Sequence, residues 1–474
     1  MTAQKITIEP VTRIEGHAKV TIHLKEDGSV EHAYFHVNEF RGFEKFCEGR
    51  LVQEMPQITP RICGICPVSH HLAAAKAGDA VLGCPPPRPA ALLRELMHMG
   101  QVIQSHGMHF FELAGPDLIL GFDHDPATRN VVGLVQADPE LTLKAVRLRK
   151  FGQAIISELG ERSVHPTFAV PGGVSHAFNT ESRDRLLAGL DEQIATIQTG
   201  LQIATRWVEA NLDTIREFAV FPTGYMSLVT PQNSLELYDG QICLVGQDGQ
   251  QLEKFDPQNY LDYIAEHVEP WSYLKFPYYK KLGYPQGVYR VGPLGRLNAV
   301  DQIDTPLANA EFQHFKALNQ GLPVENTLHY HYARLIETLF AAERARVLLE
   351  DPDILSTDIL NTHQEPREQG VGVIEAPRGT LIHHYWINAY GQISKANLIV
   401  ATGHNNYAMS KAVDDVAKTY VHGPDISEGM LNRVVHAIRA HDPCLSCSTH
   451  AVGSMPMEVS IYDPHGNLLR VIKR

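Results

Sequence analysis

Arg61-Ile62-Cys63-Gly64-Ile65-Cys66-Pro67-Val68-Ser69-His70 is the stretch on which the reading of this chain turns. Pro67 suits the first turn of a helix, where its missing N–H would have no partner anyway. His70 to Leu82 continues with alanine-rich helical character. Cys66 therefore falls at or just before a helix amino terminus, where unpaired N–H groups and the positive dipole end favour thiolate over thiol. Gly64 permits the tight bend that turns both sulfurs toward one point. A matching pair stands near the other end of the chain, in Asp442-Pro443-Cys444-Leu445-Ser446-Cys447-Ser448-Thr449-His450. If both pairs serve one centre, the two ends must meet there. The length of 474 residues would allow several domains, but the chemistry argues for one interleaved unit over residues 1–450.

Two ordinary readings compete. A zinc ribbon usually places its cysteine pairs about 15–20 residues apart in a small autonomous unit, whereas most of the chain separates these. A thioredoxin-like redox motif needs a βαβ context, which neither flank offers. The other three of the seven cysteines, Cys47, Cys84 and Cys243, are scattered. The opening MTAQKITIEP carries neither an apolar signal core nor a twin arginine. Metal or redox chemistry in the cytoplasm is therefore expected, not structural disulfides. No uncharged apolar run reaches the roughly 18 residues of a bilayer span. A net charge of -13 argues against nucleic acid as the main partner. The one basic cluster, Arg147-Leu148-Arg149-Lys150, reads as the solvated face of a helix.

Outward from the motifs, the expected fold class is mainly α with small β-sheets (α+β): a long central helix bundle with peripheral hairpins. Ala18 to Leu24 and Glu31 to Val37 read as strands around an Asp27-Gly28 turn. Apolar residues at three- and four-residue spacing predict helices over Ala90 to Leu113, Pro139 to Leu159, Glu181 to Phe218 and Leu328 to Leu349. The third contains no proline and reads as one long helix. Hairpins are expected at Ile242 to Phe255 and His384 to Ala401, and in the tail from Met457 to Tyr462 and Leu468 to Ile472. No repeat or low-complexity tract is present.

Taken together, the two cysteine motifs resemble the signatures of nickel–iron hydrogenase large subunits. Arg13-Ile14-Glu15-Gly16-His17, Phe40-Arg41-Gly42-Phe43-Glu44 and Glu375-Ala376-Pro377-Arg378-Gly379 extend the likeness over essentially the whole chain. The motif wording is most similar to the soluble bidirectional NAD-reducing subgroup, whose large subunit works beside a diaphorase module and a small iron–sulfur subunit. The resemblance implies reversible heterolytic cleavage of H2 at a nickel–iron centre whose iron carries CO and two cyanides. It implies nickel on all four cysteines, with Cys63 and Cys444 terminal and Cys66 and Cys447 bridging to iron.

It also implies the remaining roles. Cys444 is a first proton acceptor and Glu15 the relay beyond it. The bland alternative for Glu15 is an ion pair with Arg13 or Lys19. Arg378 is a cation aimed at the centre, with Asp117 and Asp442 held near it. Thr402 and the backbone near Pro377 donate hydrogen bonds to the cyanides, and His70 points at a bridging sulfur. Glu44 and His450 hold a Mg2+ ion. No G-x-G-x-x-G follows a strand and no further cysteine cluster exists, so iron–sulfur clusters, FMN and NAD are expected only on partner subunits. Ala451 to Arg474 resembles an extension removed by a maturation endopeptidase, with nickel-insertion chaperones as further partners. Two relatives of this type fit less well. A hydrogen-sensing regulatory subunit usually lacks the tail, and a metal-free respiratory-complex-like subunit lacks the four cysteines.

Overall fold

The computed structural model describes residues 5–39, 41–422 and 426–449, together with the backbone of two strands, Glu458–Tyr462 and Leu468–Lys473. Cys66 is the cap of the helix Pro67–Leu82, with proline in its first turn as expected. This helix lies against the strand Gln369–Ala376, the first of a three-stranded antiparallel sheet completed by Gly379–Ile387 and Ile393–Ile399. Small residues on both sides make the approach unusually close. A Cβ on Gly370 would stand 2.5 Å from the nitrogen of Val81, and one on Gly372 would be nearer still to the carbonyl of Ala73. The strand therefore runs antiparallel to the helix, from beside Val81 back past Ala73. Its next residues, the turn Pro377-Arg378, arrive beside Cys66.

Behind this pair stand the helices Arg88–Met108, Pro139–Gly160, Thr180–Ala210 and His329–Glu350. The last is buried on nearly every face, which makes it the middle of the bundle. Two expected helices differ in detail. The first leaves α geometry at Met108 for a π-helical turn, His109–Ala114, before a short helix Gly115–Leu120. The third stops at Ala210, and Leu212–Glu217 follows as a separate turn. Asn211 breaks it: its backbone leaves the helical region (φ -127, ψ 35) and its amide donates to the carbonyl of Trp207 at 2.8 Å. Asparagine competes with the backbone in this way.

The strands Lys5–Ile8, Lys19–Leu24 and Val30–His36 form an antiparallel sheet. Gln241–Val245 and Gln251–Phe255 form the expected hairpin, within a four-stranded sheet that also holds Gly224–Val229 and Tyr289–Arg290. The hairpin around Tyr390-Gly391 begins earlier than His384, at Gly379. The tail strands pair with each other as expected; their turn lies outside the described residues. The ends of the chain do meet. Glu15 bridges Cys444 in parallel, the Leu445 N–H donates to the Glu15 carbonyl at 3.1 Å, and the Arg41 N–H donates to the Thr449 carbonyl at 2.9 Å. Among the described residues, no helix is long and apolar enough to cross a membrane.

His71, fully buried on the helix Pro67–Leu82, shows how rigidly the core fixes protonation. Its Nδ1 donates to the Pro56 carbonyl at 2.6 Å, and its Nε2 accepts the Ala169 N–H at 2.8 Å. A second proton would set two donors against each other, and burial already lowers the pKa to about 4. Since the folded value lies below the unfolded value of 6.5, the unfolded chain takes the proton first. Stability is lost as pH falls from 6.5 toward 4, by about 1.4 kcal/mol per pH unit for this one group. Denaturant titrations at pH 7 and pH 5 should therefore show a smaller pH dependence for His71→Gln than for the parent; equal slopes would show that His71 is not neutral in the fold.

Candidate metal centre

Cys63 follows the turn Thr59–Ile62 in extended conformation, and its sulfur accepts the Ile65 N–H at 3.3 Å. The tight Cys63–Cys66 loop thus aims both sulfurs inward. Cys444 caps the short helix Leu445–Ser448, its own N–H donating to Thr402 Oγ1 at 2.8 Å. The ligand sulfurs of all four lie within 4.8 Å of one another, and all four residues are buried. Cys63 and Cys444 stand 3.2 Å apart, Cys66 and Cys447 3.5 Å, and Cys444 and Cys447 2.8 Å. None forms a disulfide, whose sulfurs would approach to about 2.0 Å.

Protonation within this set is uneven. Burial, reinforced by the neighbouring sulfurs, pushes the Cys444 and Cys447 thiols well up. Cys63, hydrogen-bonded by the Cys444 and Cys447 thiols and facing the charge of Arg378, is held well down. Without a cation the cluster shares protons; a soft divalent metal would displace them, because only thiolates ligate.

Beside the sulfurs is a small cavity lined by Cys66, His70, Pro377, Arg378, Thr402 and Cys444, among others. Among the described residues, two buried polar atoms on its lining side chains, Ser69 Oγ and Arg378 Nε, have no hydrogen-bond partner. Thr402 Oγ1 accepts from Cys444, which leaves its own O–H to donate. A four-thiolate zinc site would be complete with its sulfurs and would leave these donors stranded at a cost of about 1–3 kcal/mol each. Soft sulfurs beside spare donors fit a nickel–iron centre better than a closed zinc site.

Arg378, 2% exposed, donates to Asp442 Oδ1 at 3.0 Å and to Ser105 Oγ at 3.4 Å. Burial opposes its charge, but Asp442 and the sulfurs of Cys444, Cys66 and Cys63 outweigh burial and keep it protonated. Asp442 is thus where the resemblance put it. Asp117 is a correction. Its carboxylate is enclosed by Arg13, Arg129, Arg439, His436 and Asn432, not by Arg378. Burial opposes its charge too, yet Arg439, His436 and Arg13 hold its pKa far below the carboxylate range. Arg439 also donates to the Thr12 carbonyl at 3.0 Å. Asp117 therefore anchors the Thr12-Arg13 segment that leads to Glu15.

Glu15 is half-buried. Its Oε2 accepts the Cys444 thiol at 3.0 Å and the Ser446 N–H at 3.1 Å. Arg13, the ion-pair partner that would have made it ordinary, is taken by Asp117. His70 Nδ1 meets His383 Nε2 at 3.1 Å, and His383 Nδ1 meets the Tyr385 hydroxyl at 2.7 Å. Glu44 Oε1 accepts the Leu398 N–H at 2.8 Å. Its expected companion on Mg2+, His450, lies outside the described residues. His383 and Ser105 were not anticipated, because each meets its partner across hundreds of residues with no local signature.

Residues 5–40 match a HoxL-like family model, and residues 41–142 and 212–450 match the nickel-dependent hydrogenase model. The chain is 43% identical to the NAD-reducing hydrogenase HoxS subunit beta of Cupriavidus necator, over 98% of this chain and 99% of that one. It is also 43% identical to the corresponding chain of the F420-non-reducing hydrogenase of Methanothermobacter thermautotrophicus, over 99% and 100%. A crystal structure of an NAD+-reducing [NiFe]-hydrogenase in the H2-reduced state superposes with a TM-score of 0.92 at 45% identity. That match covers 95% of this chain and all of the other.

The Asp117 cluster generates a test. Asp117→Asn leaves Arg439 buried without its carboxylate and should destabilise the assembled enzyme by about 3–5 kcal/mol, with activity per bound nickel close to the parent's. A collapse of activity per nickel in protein that folds normally would instead return Asp117 to the reacting groups.

Proposed function

This chain belongs to the nickel-dependent hydrogenase family as its catalytic nickel–iron subunit, and on that premise we propose how it handles protons, electrons and its own maturation. When bound, the nickel–iron centre supplies Lewis acidity that makes dihydrogen acidic enough to split, and takes up the two electrons left behind. Cys63, Cys66, Cys444 and Cys447 hold it. Cys444 accepts the first proton and passes it to Glu15, whose carboxylate lies 3.0 Å from the sulfur; this contact is the observation that carries the proposal. Arg378 offsets the negative charge of the thiolates from the cavity side. Thr402 and the backbone beside Pro377 would donate hydrogen bonds to cyanides on the iron, and His70 would act on a ligand sulfur. Glu44, with His450, holds a Mg2+ ion.

Electrons leave through a small iron–sulfur partner, and we assign NAD+ as their acceptor, by way of an FMN-bearing diaphorase module in the cytoplasm. The likeness to an NAD+-reducing structure at a TM-score of 0.92 supports this; the equally similar F420-non-reducing relatives make the acceptor the point to measure.

The same reading makes residues 1–450 the working unit and 451–474 an extension removed by an endopeptidase after chaperones deliver nickel. In support, the chain is buried through Thr449.

In the purified hetero-oligomer, Glu15→Gln should retain nickel and the carbonyl and cyanide stretching bands while H2 oxidation and evolution both fall by about 10²–10⁴-fold. Full activity in that variant would put the relay elsewhere. The intact mass of the catalytic subunit in active enzyme should be that of residues 1–450; an undiminished mass would end the maturation proposal.

A further inference from the structure

The turn that carries Arg378 is itself gripped from behind. Pro377 and Arg378 are the two central residues of a hairpin whose flanking residues, Ala376 and Gly379, pair directly. Proline in the first central position fits two turn types, I and II, which differ by a flip of the peptide plane between the central residues. That plane carries the Pro377 carbonyl, and its orientation sets the backbone from which the Arg378 side chain springs.

Arg296, on the short buried helix Gly292–Ala299, holds that plane. Its Nη2 donates to the Pro377 carbonyl at 3.2 Å and its Nη1 to the Ala376 carbonyl at 2.9 Å. The other donors fix Arg296 in turn: Nε and Nη2 bond both oxygens of Glu337 at 2.6 Å, and Nη1 bonds Glu375 at 2.8 Å. Three carboxylate contacts and two carbonyl contacts use all five N–H groups of the guanidinium. Glu337 is braced by His106 at 3.0 Å, and Glu375 by Thr380 at 2.7 Å and the Leu228 N–H at 2.9 Å. Arg296, Glu337 and Glu375 are each no more than 1% exposed. Gly292, on the same helix, leaves room for the far side of the turn: a Cβ there would stand 3.0 Å from the Arg378 carbonyl.

We propose that Arg296 is a positioning residue for the reaction: by holding the Pro377 and Ala376 carbonyls it selects one conformation of the turn and so aims Arg378 at the metal cavity. Lysine keeps the charge but offers three donors and no planar fork, so it cannot hold both carbonyls and both carboxylates together. The inference rests on the role given above to Arg378, and the experiment separates the two.

Arg296→Lys, Arg378→Lys, the double variant and Glu337→Gln are prepared in the assembled enzyme. Nickel content, the carbonyl and cyanide stretching bands, thermal midpoint, kcat and KM for H2 are measured for each. Arg296→Lys should keep its nickel, shift the bands, and lower kcat about 10–100-fold at unchanged KM, the scale of a misplacement near 1 Å. The double variant should be no slower than Arg378→Lys alone. Glu337→Gln, which weakens the anchor of Arg296 but keeps the guanidinium and both carbonyls, should lower the thermal midpoint and move the bands less than Arg296→Lys does. Multiplying losses in the double variant, unmoved bands in Arg296→Lys, or equal band shifts in Glu337→Gln would each overturn the proposal. An unimpaired Arg378→Lys would instead remove the Arg378 role, leaving the grip to be judged by the bands. Should Arg296→Lys fail to accumulate, Arg296→Gln with Glu337→Gln removes both charges together, and the same band shift is required of it.

Discussion

Four sulfurs held within 4.8 Å in a dry interior set the terms for everything around them. Two unit charges about 4 Å apart repel by about 4 kcal/mol even at an effective dielectric constant near 20. Six such pairs would exceed the roughly 5–15 kcal/mol by which a folded protein is stable. The four cysteines therefore cannot all be thiolates on their own, which is why their affinities for protons are driven apart. They require a cation, and the fold is built to keep that cation's surroundings fixed. Arg378 brings a further positive charge, and Asp442 keeps that charge from standing alone.

Buried arginines do much of the fixing, and they do it by holding backbone. Arg296 grips the carbonyls of Ala376 and Pro377, and Arg439 that of Thr12, ahead of Glu15. Arg334 takes the carbonyl of Ala440, at the end of the helix Glu428–Ala440 and just before the second cysteine motif. Each thus clamps one of three segments that join the Cys63–Cys66 motif at the site: the amino-terminal strap, the Pro377-Arg378 turn and the carboxy-terminal motif. A guanidinium suits this work because its donors are planar and rigid, so one side chain can meet a carboxylate and a carbonyl at once. Carboxylates such as Glu337 and Asp117 offset the buried charges of Arg296 and Arg439.

Much of this was legible in the sequence, for reasons that differ by element. The cysteine pairs announced themselves through spacing and flanks, and the bundle helices through periodicity. The strand Gln369–Ala376 did not, because Gly370 and Gly372 count against a strand until the helix pressed on them is known. The Asn211 break was hidden by good helical pattern on both sides. Asp117 was placed beside the wrong arginine: nothing local tells a carboxylate which of several distant cations it will meet, and Arg13, Arg129 and Arg439 reached it before Arg378 could. Glu15 had two open readings for the same reason; Arg13 is taken by Asp117, and the Glu15 carboxylate meets the Cys444 thiol instead.

The two halves of the ligand set are not built alike. Cys63 and Cys66 stand at the head of a sixteen-residue helix clamped to a sheet through bare glycine. Cys444 and Cys447 stand on a four-residue helix, too short to hold itself. That helix is kept in place by the Thr402 hydroxyl, by Glu15 through its carbonyl and carboxylate, and by the Arg41 N–H on Thr449. One pair is therefore a standing platform and the other a closing piece. Because Glu15 belongs to the latch that holds the closing piece, the contact with Cys444 forms only when the ends of the chain are joined. The Glu15–Cys444 contact and completion of the four-sulfur set are consequences of the same closure.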